Sequence, residues 1–226
     1  MVEPAKSTLF HRLLFSGEKM TITSVEKSTK NKDRLAVYVD GQFSFTISEE
    51  DYVSLNLYDK TEISPEEIDH IKNGINYRAA KSTAVRFVSL KLRSEKEVYA
   101  KLESEGFDPG TIRKAIKELK SMGYINDKIY AQKYVFDRSK LKPKAKRLLK
   151  FELESKGISG DIADEVLAGW EIDEVTVAEG LIRRKYGKYD LKDPKVLSKV
   201  KAFLFHRGFN YSVIENAINN YMSENQ

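Results

Sequence analysis

The 226-residue sequence contains no cysteine, few histidines and no long apolar run. Without cysteine the chain has no disulfide framework, no thiolate metal site and no cysteine nucleophile. Runs such as Phe203-Leu204-Phe205 are far shorter than the roughly 20 apolar residues that span a bilayer, and the N-terminus lacks the features of a signal peptide. We therefore expect a cytoplasmic protein with no membrane segment.

Side chains that carry catalytic or ligand-binding chemistry do not cluster along the sequence. His11, His70 and His206 have no second histidine or carboxylate at metal-ligand spacing, so no metal site is predicted. No glycine-rich loop is followed by Lys-Ser or Lys-Thr, so no nucleotide site is predicted either. The sequence thus favours a protein that has no cofactor and is not an enzyme.

Charge is distributed unevenly along the chain. Residues 1–74 hold 9 basic and 13 acidic side chains, whereas residues 75–226 hold 30 basic and 21 acidic ones. The formal net charge of +5 therefore combines an acidic N-terminal part with a strongly basic remainder. Such asymmetry favours a polyanionic partner for the basic part, with a solvated basic surface as the alternative.

The N-terminal part has the pattern of a small antiparallel sheet. Residues 21–25, 35–39 and 43–47 are rich in β-branched and aromatic residues, and Asp40-Gly41 is typical of a type I′ hairpin turn. Ser64-Pro65-Glu66-Glu67 then predicts a helix start. We expect a β module plus helix over residues 20–74. Residues 1–19 are a poorly patterned extension that is expected to be disordered, and Met20 is an alternative start.

An internal repeat of 51 residues organises the rest of the chain. Gly106, Gly157 and Gly208 are separated by 51 residues each, and apolar residues before and after them share the same register. The aligned positions are Leu102, Leu153 and Leu204 before the glycines, and Phe107, Ile158 and Phe209 after them. Each glycine has the position of a helix C-terminus, so each marks a helix–turn–helix.

Each repeat is predicted to contain three helices. The first helices are expected near 75–92, 127–139 and 173–187. In the second repeat Pro143 and then Ser159 or Asp161 open the following helices, and in the third repeat Pro194 and Ser212 do so. An inserted loop, 186–193, distinguishes the third repeat. The predicted fold is mainly α-helical: three tandem three-helix repeats over 75–124, 125–172 and 173–226, preceded by the antiparallel β module.

The repeat region also resembles a known family. Arg93-Ser94-Glu95-Lys96-Glu97, Tyr124-Ile125-Asn126-Asp127 and Arg207-Gly208-Phe209 are similar to motifs of the RecX family, and the resemblance covers nearly the whole chain after residue 19. It implies tandem three-helix repeats in a cytoplasmic bacterial regulator of DNA repair, homologous recombination and the SOS response. The implied partner is the filament of the RecA recombinase on single-stranded DNA, whose growth, ATP turnover and strand exchange the protein would restrain. We expect it to act as a monomer.

A basic run in the second repeat is the first candidate for contact with the filament or DNA. It contains seven basic and no acidic side chains between residues 138 and 150. These are Arg138, Lys140, Lys142, Lys144, Lys146, Arg147 and Lys150. A second candidate is Arg183-Arg184-Lys185, for which a cationic helix end is the alternative interpretation. A solvated face is the alternative for the first run.

The tyrosines of the second repeat allow a further interpretation, in which Tyr124, Tyr130 and Tyr134 stack on bases. Their spacing favours packing within and between repeats instead, and the register assigns Phe107, Phe209 and Trp170 to packing as well. Two rival functions remain open. One is a tandem helix–turn–helix protein that binds duplex DNA, and the other is a helical scaffold whose ligand is a protein.

Overall fold

The structure, a computed structural model, describes residues 19–171 and 173–224. The predicted extension, residues 1–19, lies outside the described part of the chain except for Lys19. The described residues form two compact units. One joins the residues up to Leu92 with Glu97–Ile125, and the other joins Arg93–Lys96 with the residues from Asn126 onward. The predicted boundary between the β module and the first repeat at residue 74 stays a prediction.

The N-terminal module is a four-stranded antiparallel sheet of order β3-β2-β1-β4. Its strands are β1 (Met20–Lys27), β2 (Arg34–Val39), β3 (Gln42–Ser48) and β4 (Glu62–Ile63). Asp40 and Gly41 both have positive φ, 49° and 77°, which confirms the predicted hairpin turn. The two-residue strand β4 was not predicted, because it forms only by pairing with the start of β1.

Helical segments follow the sheet and cover one of its faces. They are α1 (Glu49–Ser54), a 3-10 turn (Leu57–Asp59), α2 (Pro65–Asp69) and a π-helical turn (His70–Asn76) that leads into α3 (Tyr77–Ser89). The Ser64 side chain accepts from the Glu67 amide and Glu67 accepts from the Ser64 amide, which confirms the predicted helix start. The core buried here consists of Val37, Val39, Phe45, Ile47, Leu57, Ile63 and Ile71.

A buried polar network joins the other face of the sheet to the first repeat. Arg34 is 6% exposed, and its Nη2 donates to Asn76 Oδ1 at 2.8 Å and to the Thr46 carbonyl at 3.2 Å. The Thr46 hydroxyl donates to the Gly106 carbonyl at 2.6 Å, and the Arg34 guanidinium lies 4.3 Å from the centre of the Phe107 ring. Burial, the largest cause, lowers the pKa of Arg34 from its ordinary value. The sheet is thus fixed to the turn that contains Gly106.

Three successive three-helix repeats follow, which confirms the predicted fold class. The first repeat consists of α3, α4 (Glu95–Ser104) and α5 (Pro109–Ser121). The second consists of α6 (Asp127–Leu141), α7 (Lys146–Ser155) and α8 (Gly160–Ala168). The third consists of α9 (Glu174–Tyr186), α10 (Pro194–His206) and α11 (Tyr211–Glu224). Each repeat encloses its own apolar core.

The three aligned glycines end the second helix of each repeat in the same way. Their φ angles are 81°, 86° and 88°, in the left-handed region that glycine adopts without strain. In each case the amide after the glycine donates to the carbonyl five residues earlier, as in a Schellman motif. These bonds join Phe107 to Leu102, Ile158 to Leu153, and Phe209 to Leu204, at 3.3, 3.1 and 3.3 Å. All six side chains are buried.

Two of the predicted helix starts in the second and third repeats are confirmed and two are wrong. Ser159 caps α8 and Pro194 occupies the first turn of α10, as predicted, while Asn126 and Asp193 cap α6 and α10. The prediction that Pro143 opens α7 is wrong, since that helix begins at Lys146. The prediction for Ser212 is also wrong: the Asn210 side chain accepts from the Val213 amide, one turn into α11, which begins at Tyr211.

Candidate functional site

The basic run of the second repeat lies at the junction between α6 and α7. Lys142 ends α6 and Ala145 precedes the first residue of α7. The turn of the third repeat holds this junction in place: the Ala145 amide donates to the Arg207 carbonyl at 3.0 Å, and Arg207 Nη1 donates to the Pro143 carbonyl at 3.0 Å. Ala145 is 1% exposed, so the junction is anchored at its centre.

Two cations of the run are already paired with one carboxylate, Glu152. Lys144 forms an ion pair with Glu152 Oε1, and Arg138 Nε lies 3.8 Å from Oε2. The Tyr134 hydroxyl donates to the same oxygen at 3.0 Å, and the Arg138 guanidinium lies 4.9 Å from the centre of the Tyr134 ring. Glu152 therefore neutralises part of the run from within the repeat.

The pKa of Glu152 reflects this arrangement. Burial is the largest single contribution and raises the pKa of the carboxyl. The hydrogen bonds from Lys144 and Tyr134, together with the charges of Lys144 and Arg138, outweigh burial and hold the pKa of Glu152 below its ordinary value. The carboxylate therefore stays ionised and keeps its two cations engaged.

Lys150 is paired as well. Its Nζ lies 2.6 Å from Asp164 Oδ1 on α8, and this hydrogen bond is the largest cause that raises the pKa of Lys150. Neither Glu152 nor Asp164 was identified from the sequence as a partner of the basic run. Lys144 and Glu152 are 8 residues apart along the chain, a short separation that the sequence shows, whereas Asp164 lies on another helix.

Four cations remain available at the junction, and we call them the junction cations. They are Lys140, Lys142, Lys146 and Arg147. None of them is ion-paired with a carboxylate in the part of the chain that the structure describes. Lys146 is half-buried and the other three are exposed. Lys140 Nζ lies 5.8 Å from the centre of the Phe136 ring, a distance at which a cation–π attraction contributes weakly.

The second basic candidate forms the last turn of α9. Arg183 Nη2 is paired with Glu224 Oε2 at 2.6 Å, and Lys185 Nζ lies 4.1 Å from the centre of the Phe203 ring. Arg184 is exposed and has no carboxylate partner among the described residues. This position also suits the negative end of the helix dipole, so both interpretations of the triplet remain compatible with the structure.

The aromatic candidates divide between core and surface. Tyr130 is 8% exposed and stacks on Tyr134 with ring centres 6.3 Å apart, as expected for packing residues. Trp170 packs with the core of the second repeat, and Phe107 and Phe209 are buried. Tyr124 is 54% exposed, so the prediction that it packs is wrong. It lies in the turn after α5.

The described residues contain no group of three or more histidine, aspartate or glutamate side chains arranged to hold a metal ion. Within those same residues, no helix combines the length and the apolar character needed to cross a membrane.

Four family models match successive stretches of the chain. The model described as the N-terminal domain of regulatory protein RecX matches residues 20–64. Models described as the first, second and third three-helix domains of RecX match residues 80–119, 126–167 and 171–218.

Proteins named "Regulatory protein RecX" are similar over most of the chain. The one from Clostridium beijerinckii is 31% identical over 206 residues, covering 89% of this chain and 96% of its own. The one from Clostridioides difficile is 33% identical over 202 residues, covering 88% and 94%. A crystal structure of RecX from Lactobacillus salivarius matches with a TM-score of 0.54 and 30% identity, over 65% of this chain and 96% of its own. A crystal structure of a regulatory protein RecX matches the fold with a TM-score of 0.60 at 24% identity, over 88% and 99%.

Proposed function

This chain belongs to the RecX family of regulatory proteins, and from that premise we propose that it binds the filament that the RecA recombinase forms on single-stranded DNA. Bound there as a monomer in the cytoplasm, it limits extension of the filament, ATP hydrolysis and strand exchange. The protein then acts in DNA repair and homologous recombination as a regulator and carries out no chemistry of its own.

The observation that carries this proposal is the set of junction cations. A filament on DNA is polyanionic, and cations without an internal carboxylate partner are those that can neutralise phosphates or acidic protein groups at little cost. Arg138, Lys144 and Lys150 already have carboxylate partners, so their transfer to an external anion would first break those pairs. The proposal therefore assigns the contact to Lys140, Lys142, Lys146 and Arg147, with Arg184 as an additional cation.

The mechanism is steric. A helical array that occupies a groove of the filament contacts neighbouring recombinase subunits, and it competes with the second DNA strand and with the addition of further subunits. Because Ala145 and Pro143 anchor the junction to the third repeat, the backbone that carries its cations is held in position before binding. Pre-organisation of this kind reduces the entropy lost on association.

The direct test measures ATP hydrolysis by RecA on single-stranded DNA with this protein present below the concentration of recombinase. A slower rate is expected, and an unchanged rate at saturating protein would contradict the proposal. A parallel binding assay compares the filament, bare single strands and duplex DNA. Preference for duplex would favour the helix–turn–helix reader, and binding that is indifferent to DNA and persists at high salt would favour the protein scaffold.

A further inference from the structure

The inserted loop of the third repeat, residues 187–193 between α9 and α10, is held in a defined conformation. Leu191 is 5% exposed and belongs to the core of the repeat. The Tyr189 amide donates to the Tyr186 carbonyl at 2.9 Å, and the Lys192 amide donates to Asp190 Oδ1 at 2.9 Å. The loop therefore packs as part of the repeat, and its backbone fixes where the exposed side chains are attached.

The 51-residue register shows what the loop replaces. Phe136 and Trp170 of the second repeat correspond to Gly187 and Tyr221 of the third. In the second repeat the two rings pack edge to face with centres 6.1 Å apart. In the third repeat the glycine has no side chain, and a Cβ at 187 would lie 2.5 Å from the Arg183 carbonyl oxygen and 3.5 Å from the Tyr221 hydroxyl.

A cleft of about 170 Å³ lies beside Gly187, and we call it the third-repeat cleft. The loop and α11 line it, through Gly187, Tyr189, Asp190, Leu191 and Lys192 of the loop and Tyr221 and Met222 of α11. At roughly 30 Å³ for each water in the liquid, this space corresponds to five or six waters and is sufficient for one flat heterocyclic ring. Its lining is polar and apolar in about equal parts.

Tyr189 is 60% exposed at the edge of this cleft. Its ring lies 6.1 Å from that of Tyr186, which in turn packs on Phe203 at 5.7 Å. The exposed ring is thus supported from behind by two further aromatic rings. Such a supported ring offers a stacking surface and loses little side-chain entropy on binding.

The loop beside the cleft carries two cations and two carboxylates. Lys188 and Lys192 are exposed and have no carboxylate partner in the described part of the chain. The two acidic side chains of the loop are turned to backbone amides: Asp190 accepts from the Lys192 amide and Asp193 from the Lys195 amide. One oxygen of each carboxylate is therefore engaged within the loop, while the two lysines and the Tyr189 ring are exposed.

We propose that the third-repeat cleft binds one base of single-stranded nucleic acid, which stacks on Tyr189 while Lys188 and Lys192 contact the adjacent phosphates. A single strand supplies a flat base and adjacent phosphates in every nucleotide, whereas an acidic protein surface would need a separate aromatic side chain beside its carboxylates, and duplex DNA keeps its bases stacked within the helix. The inference rests on the proposed function, because it specifies how the DNA inside a filament is contacted. Binding to bare single strands tests it apart from the filament.

The test uses the full-length protein and labelled oligothymidylate, with an abasic oligonucleotide of the same length as the second probe. The abasic strand offers the same phosphates but no base to stack. Tyr189→Ala is compared with Tyr189→Phe and with Tyr58→Ala, which removes a tyrosine of similar exposure, 62%, from the acidic N-terminal module. Fluorescence anisotropy gives the dissociation constants at low salt.

Tyr189→Ala is expected to weaken binding of oligothymidylate about 5- to 100-fold, which is the typical contribution of one stacked base. Tyr189→Phe and Tyr58→Ala are expected to stay within about twofold of the parent protein, and the abasic strand is expected to bind equally to all four proteins. Equal loss on both strands in Tyr189→Ala, or no loss on oligothymidylate, would overturn the inference.

The result separates the inference from the proposed function. If the protein inhibits RecA while Tyr189→Ala binds oligothymidylate normally, the proposed base-binding cleft is refuted and the proposed regulation of RecA is supported. If oligothymidylate binding depends on Tyr189 while RecA hydrolyses ATP at an unchanged rate, the base-binding cleft is supported and the proposed regulation of RecA is refuted.

Discussion

The Ser94 hydroxyl donates a hydrogen bond of 2.8 Å to the carbonyl oxygen of Lys156, the residue before the helix-ending Gly157. Ser94 is fully buried and directly precedes the second helix of the first repeat. One period later, the Ala145 amide donates to the Arg207 carbonyl in the same relative place. One period earlier, the Glu105 carbonyl accepts from Asn31 Nδ2 at 3.3 Å. The carbonyl before each glycine is therefore the acceptor of a joint to the preceding part of the chain.

Removing the hydroxyl at the Ser94 joint should lower stability. In Ser94→Ala the Lys156 carbonyl loses this donor, and the free energy of unfolding is expected to fall by about 1–2 kcal/mol. Ser121→Ala is the matched control, because its hydroxyl also donates to a backbone carbonyl but is exposed, and its effect should stay below about 0.5 kcal/mol. Urea unfolding measures both. Equal effects of the two substitutions would contradict the assigned role of the joint.

Gly208 should tolerate alanine less well than Gly123. Both have positive φ, 88° and 77°, so alanine is strained at either position. At Gly208 the new Cβ would lie 2.6 Å from Leu148 Cβ, whereas at Gly123 nothing lies within 4 Å. Gly123→Ala is expected to cost about 1–2 kcal/mol, and Gly208→Ala about 1–3 kcal/mol more. Denaturant unfolding of both variants checks this, and similar costs would show that the α7 start yields easily.

Glu152 should contribute stability that depends on pH. Because its pKa is lowered in the folded state, its contribution is present above the ordinary glutamate pKa of about 4.3 and is lost as the pH falls through the lower folded value. The difference in unfolding free energy between the parent protein and Glu152→Gln should therefore be largest near neutral pH and shrink in acid. Glu154→Gln, at an exposed site on the same helix, should stay within about 0.5 kcal/mol of the parent at neutral pH. A Glu152→Gln difference that is constant from neutral to acidic pH would refute this.

Reversing two junction cations should weaken filament binding more than reversing two cations elsewhere. Lys142→Glu/Arg147→Glu and Arg113→Glu/Lys117→Glu each lower the formal net charge of +5 by four, and all four side chains are exposed. The first pair is expected to lose about tenfold or more in affinity for the RecA filament, with a shallower salt dependence, because each lost phosphate contact removes about 0.7 from the slope. Indistinguishable affinities would move the contact away from the junction.

The repeats could be predicted well from the sequence because the same glycine and apolar positions recur in all three copies. Gly106, Gly157 and Gly208 each require a left-handed residue for local reasons, and local reasons are visible in sequence. The hairpin at Asp40-Gly41 was predictable on the same ground. The π-helical turn 70–76 was not predicted, because it depends on packing against the sheet and leaves no local signature.

The candidate site was predicted only in part. The basic run is visible in the sequence, but its division into paired and available cations is not, because Asp164 reaches Lys150 from another helix. The joints were also hidden. Ser94 and Ala145 occupy the same register yet donate through different groups, a hydroxyl and a backbone amide. A search for preserved residue types cannot find a position where only the hydrogen bond is preserved.

The donor of this hydrogen bond varies between repeats and the acceptor does not, which affects how the repeats can diverge in sequence. The acceptor at residues 105, 156 and 207 is a main-chain carbonyl, which every amino acid supplies, whereas the donor is a side-chain amide, a hydroxyl and a main-chain amide in turn. A duplicated copy of the repeat would therefore carry the acceptor whatever its sequence. The neighbouring segment could supply the donor from a side-chain amide, a hydroxyl or a main-chain amide. Copies linked in this way are able to diverge on their surfaces without losing the means by which they are joined.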